Sequence, residues 1–406
     1  MRILLLSQYF TPEVTAAPVR LHPFAAGLVA RGHHVEVICE VPSHPRGVIQ
    51  AGYGGRFIDR RRLDGFEVSY VWTRASPSRR ARDRLASYAS YAMTASVVGA
   101  LRRSPDAIFA SSPPLSVGAL GTVAAARHRV PWVFDVRDLW PEAAVVLGEL
   151  DNPRAVRVAE WLERRLYASA TAITTPTEPF REHIVARCDD ASKVHVLANG
   201  TTRRWLEAGS ADPDREGLGL PDDRFVWTYA GNVGLSQDLD TAVAAAGLLG
   251  GEFLLLIVGE GPARARLEQL AAELAPGSVR FTGLVEASEA ARLMRASNAL
   301  LVSLAPAAAL GKAVPIKLYD CCAIGRPIVL AAPGEPRRIA ERDRLALIVD
   351  PGEPAGLAEA VRSLRDDRDL AQGLAANARS FAARHLREDQ LDVLESVLVA
   401  ASRQAA

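Results

Sequence analysis

Short apolar runs alternate with longer segments of helical period along most of this chain. The first runs cover residues 3–6 and 35–39, and a helical segment that ends near residue 30 lies between them. Continuous apolar runs of this length are typical of parallel strands buried on both faces, which crossover helices connect. The rhythm continues through predicted strands at residues 67–72, 107–110, 132–135, 172–174 and 194–197. The pattern predicts a doubly wound α/β domain over residues 1–200.

The rhythm stops after this domain and restarts further along the chain. Residues 200–223 are rich in Gly, Pro and Asp without a clear period, so we predict a linker at 201–225. Predicted strands follow at residues 226–230, 253–258, 279–281, 299–303, 327–330 and 345–349. A second doubly wound, Rossmann-like domain is therefore expected at 226–385. Two such domains would face a central cleft, at the carboxyl ends of both sheets.

The last part of the chain has a helical pattern and no further predicted strand. Residues 367–403 show this pattern throughout. Without a strand of its own to cover, the terminal stretch 386–406 is expected to cross back as a helix and pack on the first domain.

The charge of the chain is almost balanced. It has 406 residues, with 48 Lys plus Arg against 47 Asp plus Glu and a net charge of +1. This balance gives no overall field that favours nucleic acid, so we expect no nucleic-acid partner. The cysteines show no metal-ligand spacing and indicate a reducing compartment; they are Cys39, Cys188, Cys321 and Cys322. The first apolar run is too short for a signal peptide or a membrane span, so we expect a cytoplasmic protein.

Lysine is rare in this chain, and its positions are informative. Only three of the 48 Lys and Arg residues are lysines, namely Lys193, Lys312 and Lys317. Two of them fall in the segment KAVPIKLYDCCAIGRPIVLAAPGE, which also carries Asp320. A compact ammonium group contacts a phosphate as a point charge where a planar guanidinium fits less well. The segment therefore indicates a site for a charged, hydroxyl-rich ligand, although chance placement at a solvated helix end is the alternative.

Three turns follow predicted strands in the second half. WTYAGNVGLSQDLD and LLLIVGEGPARARL each lead from a strand through glycines into a helix, and glycine lets the backbone approach a diphosphate closely. VRFTGLVEASEAARLM offers backbone groups that would fit the edge of a nucleobase. Ordinary tight turns account for the same sequences. After the first predicted strand of the chain there is no G-x-G-x-x-G motif, which disfavours a nicotinamide or flavin site.

Charged side chains also gather after two predicted strands of the first half. Glu13 and Arg20 follow the first strand, where each binds an acceptor hydroxyl or pairs with the other. The segment FDVRDLWPEA places three acids and an arginine around Trp140. Asp138 as a cap of the following helix, with Trp140 in the core, is the structural alternative. We favour a functional site because a cap needs one acid and three are present.

Basic runs in the first half raise the question of a membrane contact. Arginines occupy residues 60–62 and are dense over 74–84, ahead of a helix with large side chains. Those side chains are Tyr88, Tyr91, Met93 and Val97. The pattern predicts either a peripheral contact with the inner face of the cell membrane or a solvated loop beside a packed helix.

These segments together resemble the retaining GT-B glycosyltransferases of family 4 over nearly the whole chain. The matching motifs are YFTPE with Arg20, SSPPLS, FDVRDLWPE, YAGNVG, VGEGP, FTGLV, and VPIKLYD with GRPIVLA. Within the family, the chain is most similar to bacterial exopolysaccharide and O-antigen enzymes that transfer N-acetylated amino sugars.

The resemblance implies a nucleotide-diphosphate sugar, expected to be UDP-linked, that is bound mainly by the second domain. It implies a glycan, lipid-linked or natural-product acceptor on the first domain, no metal or other cofactor, and retention of anomeric configuration. The donor-binding residues it implies are Gly231, Asn232, Gln237, Gly259, Glu260, Leu284, Val285, Lys312, Pro315, Ile316, Lys317 and Asp320. The acceptor-binding residues that it implies are Glu13, Arg20, Arg137, Trp140 and Glu142. The catalytic candidates are Asp138, Lys317 and Asp135.

The chain also departs from the family pattern. Asn232 and Gln237 stand where most members have an Arg and a Lys that hold the diphosphate. Two glutamates that the family has eight positions apart align with Lys312 and Asp320 in this chain. Lys317 is our candidate for the cation that binds the phosphate groups. Asp320 is our candidate for the contact with the ribose hydroxyls. A nucleotide-sugar 2-epimerase, a non-catalytic sugar-binding subunit and a natural-product glycosyltransferase are the alternatives.

Overall fold

The computed structural model describes residues 1–13, 15–44, 47–78, 81–146, 150–211, 214–307 and 310–404. The chain divides into two compact units. The first unit contains Met1–Ala198 and Arg387–Ala406, and the second contains Asn199–Leu386. Each unit is built around a sheet of its own.

The sheet of the first unit has eight strands within the described residues. They are β1 (Arg2–Ser7), β2 (His34–Glu40), β3 (Ile58–Leu63), β4 (Phe66–Val71), β5 (Ala107–Ser112), β6 (Trp132–Val136), β7 (Ala172–Thr175) and β8 (Val194–Val196). Their order is β3-β4-β2-β1-β5-β6-β7-β8, and only β3 runs antiparallel to its neighbour. The central strands β1 and β5 are buried almost throughout, as their continuous apolar sequences predict.

Helices connect these strands. They are α1 (Ala16–Ala30), α2 (Ala81–Ala100), α3 (Leu115–His128), α4 (Glu142–Val146), α5 (Pro153–Ser169) and α6 (Glu178–Val185). The start of α5 shows how the local sequence sets a boundary. The side chain of Asn152 accepts a hydrogen bond from the backbone N–H of Arg154 at 2.9 Å, and Pro153 occupies the first turn.

Strand β3 is missing from the sequence prediction. Its sequence, IDRRRL, contains no continuous apolar run, and Arg60 and Arg62 are exposed. β3 lies at the edge of the sheet, where one face of an antiparallel strand can remain in water. The run of arginines at 60–62 therefore belongs to a strand. Residues 79 and 80 of the basic segment 74–84 lie outside the described residues.

The second unit has the same type of architecture. Its strands are β9 (Phe225–Ala230), β10 (Phe253–Val258), β11 (Val279–Gly283), β12 (Ala299–Ser303), β13 (Ile328–Ala331) and β14 (Leu347–Val349). Their order is β11-β10-β9-β12-β13-β14, and all the pairs described are parallel. The helices are α7 (Arg203–Ala208), α8 (Leu239–Leu249), α9 (Arg264–Leu274), α10 (Ala287–Ala296), α11 (Ile316–Ile324), α12 (Glu335–Asp343), α13 (Pro354–Asp366) and α14 (Arg368–Ala383). The predicted doubly wound α/β class is thus confirmed for both halves.

Residues 201–225, predicted as a linker, belong to the second unit and pack on the rest of it in several places. Helix α7 lies in this segment and packs on α11 and α14. Further along, the Arg215 guanidinium donates to the Asn298 side chain at 2.9 Å and to the Arg224 carbonyl at 3.0 Å. The sequence prediction missed these contacts because isolated polar anchors produce no apolar period.

The helical pattern predicted for 367–403 is interrupted. Helix α14 ends at Ala383, and α15 (Gln390–Gln404) begins after a break. Helix α15 belongs to the first unit, where it packs on α1, β5 and β6. Leu391, Leu394 and Leu398 join the core that the central strands of that unit form. In the described ranges, we find no helix that is both long enough and apolar enough to cross a membrane.

Candidate functional site

Three turns meet at the carboxyl edge of the second sheet. Backbone hydrogen bonds connect them, from Gly231 N to Val258 O at 2.9 Å and from Gly259 N to Gly283 O at 3.0 Å. A third bond runs from Val233 N to the carbonyl of Glu260 at 3.0 Å. The turns after β9, β10 and β11 therefore form one rigid backbone layer at the edge where ligands bind in such sheets.

Glycine is required where these turns touch. Gly259 has a φ of +139°, and a Cβ atom on it would lie 1.9 Å from the carbonyl oxygen of Gly231. A Cβ atom on Gly261 would lie 2.4 Å from the carbonyl oxygen of Val233. No side chain fits at such distances, so the glycines serve the close packing of two backbones. Gly231 and Asn232 remain exposed to solvent.

Lys317 lies beneath the first of these turns. It is the second residue of α11, and its Nζ donates to the Oε1 of Gln237 at 2.6 Å and to the Tyr229 hydroxyl at 2.5 Å. The ammonium group also lies 4.3 Å from the centroid of the Tyr229 ring. A Cβ atom on Gly231 would be 3.3 Å from Nζ, so the amine directly underlies the glycine turn.

The surroundings of Lys317 disfavour its positive charge. Burial lowers the pKa of the amine to about 7, and the Cys321 thiol only partly opposes this shift. Burial also raises the pKa of Tyr229, so its hydroxyl stays protonated, donates to the carbonyl of Asn232 at 2.7 Å and can accept from Lys317. Among the described residues, no carboxylate forms a hydrogen bond or ion pair with Nζ. The site therefore holds a cation that an incoming anion would stabilise.

The other donor candidates lie around this edge with different partners. Glu260 forms an ion pair with Arg264 at 2.8 Å, so its charge is already balanced. Asp320, on α11, accepts a hydrogen bond from the Thr201 hydroxyl at 2.9 Å. Lys312 ends a short 3₁₀ turn and is partly exposed.

Apolar candidates complete this group. Pro315 immediately precedes α11 and Ile316 begins it, which sets the position of Lys317 in the first turn. Leu284 is 63% exposed and available to a ligand, whereas Val285 is partly buried against a core cluster.

In the first unit, three neighbouring strands place polar side chains in one row. Ser111, Asp135 and Thr174 are paired residues of β5, β6 and β7. Asp135 is 0% exposed, and its carboxylate accepts from the Ser111 hydroxyl at 2.7 Å and the Thr174 hydroxyl at 2.8 Å. Ser111 and Thr174 are absent from the predicted site, although their strand-end positions next to Asp135 were visible in the sequence.

Asp135 also lies next to two arginines. The Arg20 guanidinium is 3.5 Å from its carboxylate and donates to two backbone carbonyls after β8, at 2.7 and 3.2 Å. The Nε of Arg137 is 3.8 Å from the same carboxylate and donates to the Ser112 carbonyl at 2.9 Å. Burial lowers the pKa of Arg137, and Asp135 opposes this change. These contacts hold the buried Asp135 carboxylate within the sheet and the buried Arg20 side chain of α1 against it, which favours positioning roles for both. Direct contact of either side chain with a ligand stays a prediction.

Asp138 differs from Asp135 in exposure and in partners. Its side chain is exposed, and it forms no hydrogen bond or ion pair with another described residue. The surrounding protein nevertheless raises the pKa of Asp138 to about 6, while Arg137 acts to lower it. Among the described residues nothing supports the capping alternative, because a cap carboxylate would accept a helix N–H.

Trp140 and Glu142 follow Asp138 in the chain. Trp140 is partly exposed, and its backbone N–H donates to the Asp138 carbonyl at 3.0 Å. Glu142 begins α4 and lies 3.3 Å from the Nδ1 of His183 on α6. The hydrogen bond between Trp140 and Asp138 closes a tight turn that keeps these two residues together. The Glu142 carboxylate is instead directed toward His183 of α6.

Glu13 belongs to a buried acidic pair at the ends of β1 and β2. Its Oε1 accepts from the backbone N–H groups of Ser43 and His44, at 2.7 and 2.8 Å, and the side chain is 4% exposed. Burial raises the pKa of Glu13 to about 7 and that of Glu40 to about 8, and the charge of Glu13 adds to the second shift. Glu13 therefore braces the segment after β2. Glu40, accepting from the Gln8 amide at 2.8 Å, is absent from the predicted site.

Tyr229 is a further residue that the sequence prediction missed. It lies in an apolar strand, FVWTYA, where a tyrosine reads as core. Its hydroxyl, however, is a polar group at the ligand edge of the sheet and needs a partner there. Among the described residues, no group of three His, Cys, Asp or Glu side chains could hold a metal ion.

Comparisons with known proteins identify the class to which this arrangement belongs. Anabaena HepE (Alr3699), crystallised with UDP and glucose, superposes with a TM-score of 0.73 at 18% identity, covering 98% of this chain and 100% of that one. Two parallel-sheet, Rossmann-like domains of this kind define the GT-B fold, which confirms the predicted fold class.

The family follows from the sequence. The glycosyl transferase 4-like domain model matches residues 15–200, and the model of glycosyl transferases group 1 matches residues 210–381. The chain is a GT-B glycosyltransferase whose two halves match these two domain families.

Curated relatives agree with this assignment. WcaI, a putative colanic acid biosynthesis glycosyl transferase of Escherichia coli (strain K12), is 26% identical over 345 residues, which is 82% of this chain and 83% of that protein. A D-inositol 3-phosphate glycosyltransferase of Nocardioides sp. is 29% identical over 302 residues, or 68% of this chain and 64% of that protein.

Proposed function

We propose that this glycosyltransferase moves a sugar from a nucleotide-diphosphate donor, held by the second unit, to a hydroxyl of an acceptor held by the first. One observation carries the proposal: Lys317 lies beneath the exposed Gly231–Asn232 turn without a carboxylate partner among the described residues. Most family members hold the diphosphate with an Arg and a Lys at the positions of Asn232 and Gln237. In this chain, Lys317 of α11 would supply the cation instead.

The chemistry of the leaving group explains why such a cation is useful. Glycosyl transfer passes through an oxocarbenium-like state, and the diphosphate departs with negative charge. A fixed ammonium group lowers that barrier most if it is already in place before the reaction. Tyr229 and Gln237 hold Nζ by hydrogen bonds, and the amino end of α11 adds partial positive charge. Binding of the diphosphate would raise the pKa of Lys317 and keep it protonated.

The donor is proposed to be a UDP-linked N-acetylated hexosamine or deoxyhexosamine. Two observations support UDP: the resemblance of the second half to its family, and HepE, whose crystals contain UDP. Asp320 would contact the ribose and Leu284 the base. The acceptor is a glycan, a lipid-linked glycan or a small natural product.

The proposed mechanism retains the anomeric configuration and needs no metal. A phosphate oxygen of the leaving group accepts the acceptor's proton, so no protein nucleophile is required. Asp138 orients the acceptor hydroxyl or stabilises the ring charge. Chelation of metal ions should therefore leave the transfer rate unchanged.

A panel of UDP-, GDP- and dTDP-sugars tests the proposal. Nucleotide release from one UDP-amino sugar should be measurable with the wild type and lost in Lys317→Ala, and NMR of the product should show the donor's anomeric configuration. Interconversion of two nucleotide sugars without an acceptor would instead show an epimerase. No release with any donor and acceptor would contradict the proposed function.

A further inference from the structure

Beyond the arginines of its first turn, α2 exposes a row of large apolar side chains. Leu85 is 63% exposed, Met93 67% and Val97 50%, and their spacing by multiples of four residues places them along one i, i+4 row of the helix surface. Leu101, directly after the helix, is 80% exposed and continues the row. We call these four side chains the α2 face. At 1.5 Å per residue the row is about 25 Å long, and it winds part of the way around the helix because each step of four residues turns it by about 40°.

This face lacks the charges that usually cover an exposed helix. From residue 85 to residue 101 the sequence LASYASYAMTASVVGAL contains no charged side chain. Helix α3 packs beside α2 and adds Val123, which is 55% exposed. A contiguous apolar surface of this kind on a folded protein indicates an interaction site.

Arginines lie at both ends of the α2 face. Arg74 and Arg82, near the start of α2, have side chains that are 61% and 75% exposed. Asp83 lies between them, at 3.9 and 4.0 Å, and balances only part of their charge.

The other end of the face is also cationic. Arg103 follows α2, and Arg127 and Arg129 end α3; all three are exposed. The His128 ring contacts the Gly99 carbonyl at 2.9 Å, which holds the end of α3 beside the end of α2. The face is therefore an apolar stripe with guanidinium groups at each end.

We propose that the α2 face docks this glycosyltransferase on an anionic lipid surface. Apolar side chains on one side of a surface helix enter the boundary between headgroups and acyl chains, and arginines at the ends contact lipid phosphates. This binding lies on the first unit and does not depend on the donor chemistry of the second.

Charge complementarity favours a lipid surface over a second copy of this chain. Two copies that pack by their α2 faces would bring arginine-bearing ends together in either orientation, because both ends are cationic. Like charges opposed in this way weaken association. A bilayer with anionic headgroups instead offers a partner of opposite charge at both ends.

Sedimentation with lipid vesicles tests this proposal on the full-length protein. Wild type should bind vesicles of phosphatidylcholine with phosphatidylglycerol and bind those of phosphatidylcholine alone much less. Binding should weaken when salt rises from about 0.1 M to about 1 M, because the Debye length falls from about 10 Å to about 3 Å. Replacing both Arg82 and Arg103 by Gln should weaken binding by roughly fivefold per arginine.

Variants of the face separate docking from folding. Met93→Glu with Val97→Glu should abolish vesicle binding, whereas the matched control Leu248→Glu, at a residue that is 55% exposed on α8, should bind like wild type. Unchanged thermal unfolding and unchanged UDP binding would show that the double variant is folded.

Two results would overturn the proposal. One is that wild type and the double variant show the same vesicle binding, whether both bind or neither binds. The other is light scattering that shows a wild-type dimer, disrupted by the same substitutions, without vesicle binding, which would make the face a contact between copies.

Discussion

Lys317 and Asp138 are two side chains whose pKa values the fold moves toward neutrality from opposite directions. Burial lowers the pKa of the Lys317 amine to about 7, and desolvation raises the pKa of the Asp138 carboxyl to about 6. Shifted pKa values are more frequent at functional sites than elsewhere, which supports the proposed role of each group within its own unit. The proposed roles require Lys317 in its charged form and Asp138 ionised.

The pH dependence of kcat/KM should reflect both groups. The rate should rise as Asp138 ionises near pH 6 and fall as Lys317 loses its proton above pH 7, giving a narrow maximum between these values. Measurements with a UDP-sugar between about pH 5 and 9 would show this bell shape. Lys317→Arg, if it retains activity, should lose the basic limb, because a guanidinium stays charged. A rate that rises steadily through neutral pH would contradict these assignments.

Asp135 and Asp138 should respond differently to the same substitution. Asp135→Asn removes the buried charge next to Arg20 and Arg137 and should lower the free energy of unfolding by about 3–5 kcal/mol. Asp138→Asn changes an exposed carboxylate, so stability should change by less than about 0.5 kcal/mol while turnover falls and donor binding persists. Urea unfolding and turnover measure the two effects. Equal loss of stability in both variants would refute the distinction.

The candidate site residues and their roles stay predictions, but the structure separates exposed candidates from buried ones. Lys317 stood out because lysine is rare, and its position beneath the Gly231 turn agrees with the proposed role. Asp135 and Glu13 were selected for their charge, but both are buried and hydrogen-bonded within the first unit. Burial depends on neighbouring strands, and no local motif reports it. Tyr229 was missed because it lies near the end of an apolar strand, and a tyrosine in an apolar strand is expected to be a core residue.

At the scale of elements, the glycine turns determine the shape of the donor edge. Gly259→Ala would place a Cβ atom 1.9 Å from the Gly231 carbonyl oxygen at a φ of +139°. We expect a loss of about 2–4 kcal/mol of unfolding free energy, with weaker UDP binding. Gly251→Ala is the matched control, because a Cβ atom added there would meet no other atom within 4 Å. Chemical denaturation and calorimetry of both variants measure these effects, and equal stability of the two would show that the contact does not matter.

The elements that were predicted well share one physical property. Parallel strands buried on both faces need continuous apolar sequence, so β1, β5 and β10 were recognisable without any tertiary information. The edge strand β3 and the short helix α7 lack such a run, and contacts with distant residues stabilise them. For the same reason, the break between α14 and α15 was invisible in a helical pattern.

At the scale of the whole chain, the first unit is assembled from both ends of the sequence. Helix α15 lies almost two hundred residues beyond β8, yet it packs on α1, β5 and β6. The core of this unit is therefore incomplete until the end of the chain is present.

A substitution in α15 should reveal this dependence. Leu394 is 1% exposed within the core of the first unit, so Leu394→Ala should lower the unfolding free energy of that unit by about 2–5 kcal/mol. Ser396→Ala, at an exposed position of the same helix, should have almost no effect. Hydrogen exchange of β5 and β6 reports the first unit specifically. Unaltered exchange in Leu394→Ala would show that α15 is dispensable for this core.

The central claim is that Lys317 holds the donor diphosphate, and calorimetric measurement of UDP affinity tests it most directly. Lys317→Met should bind UDP at least about tenfold more weakly than wild type, since hydrogen bonds to charged groups contribute about 1.5–3 kcal/mol. Lys193→Met is the control, because that amine donates to carbonyls of the first unit, at 2.7 Å from Tyr167 and 3.1 Å from Ala170. It should bind UDP like wild type. Equal UDP affinity in wild type and Lys317→Met would contradict the account.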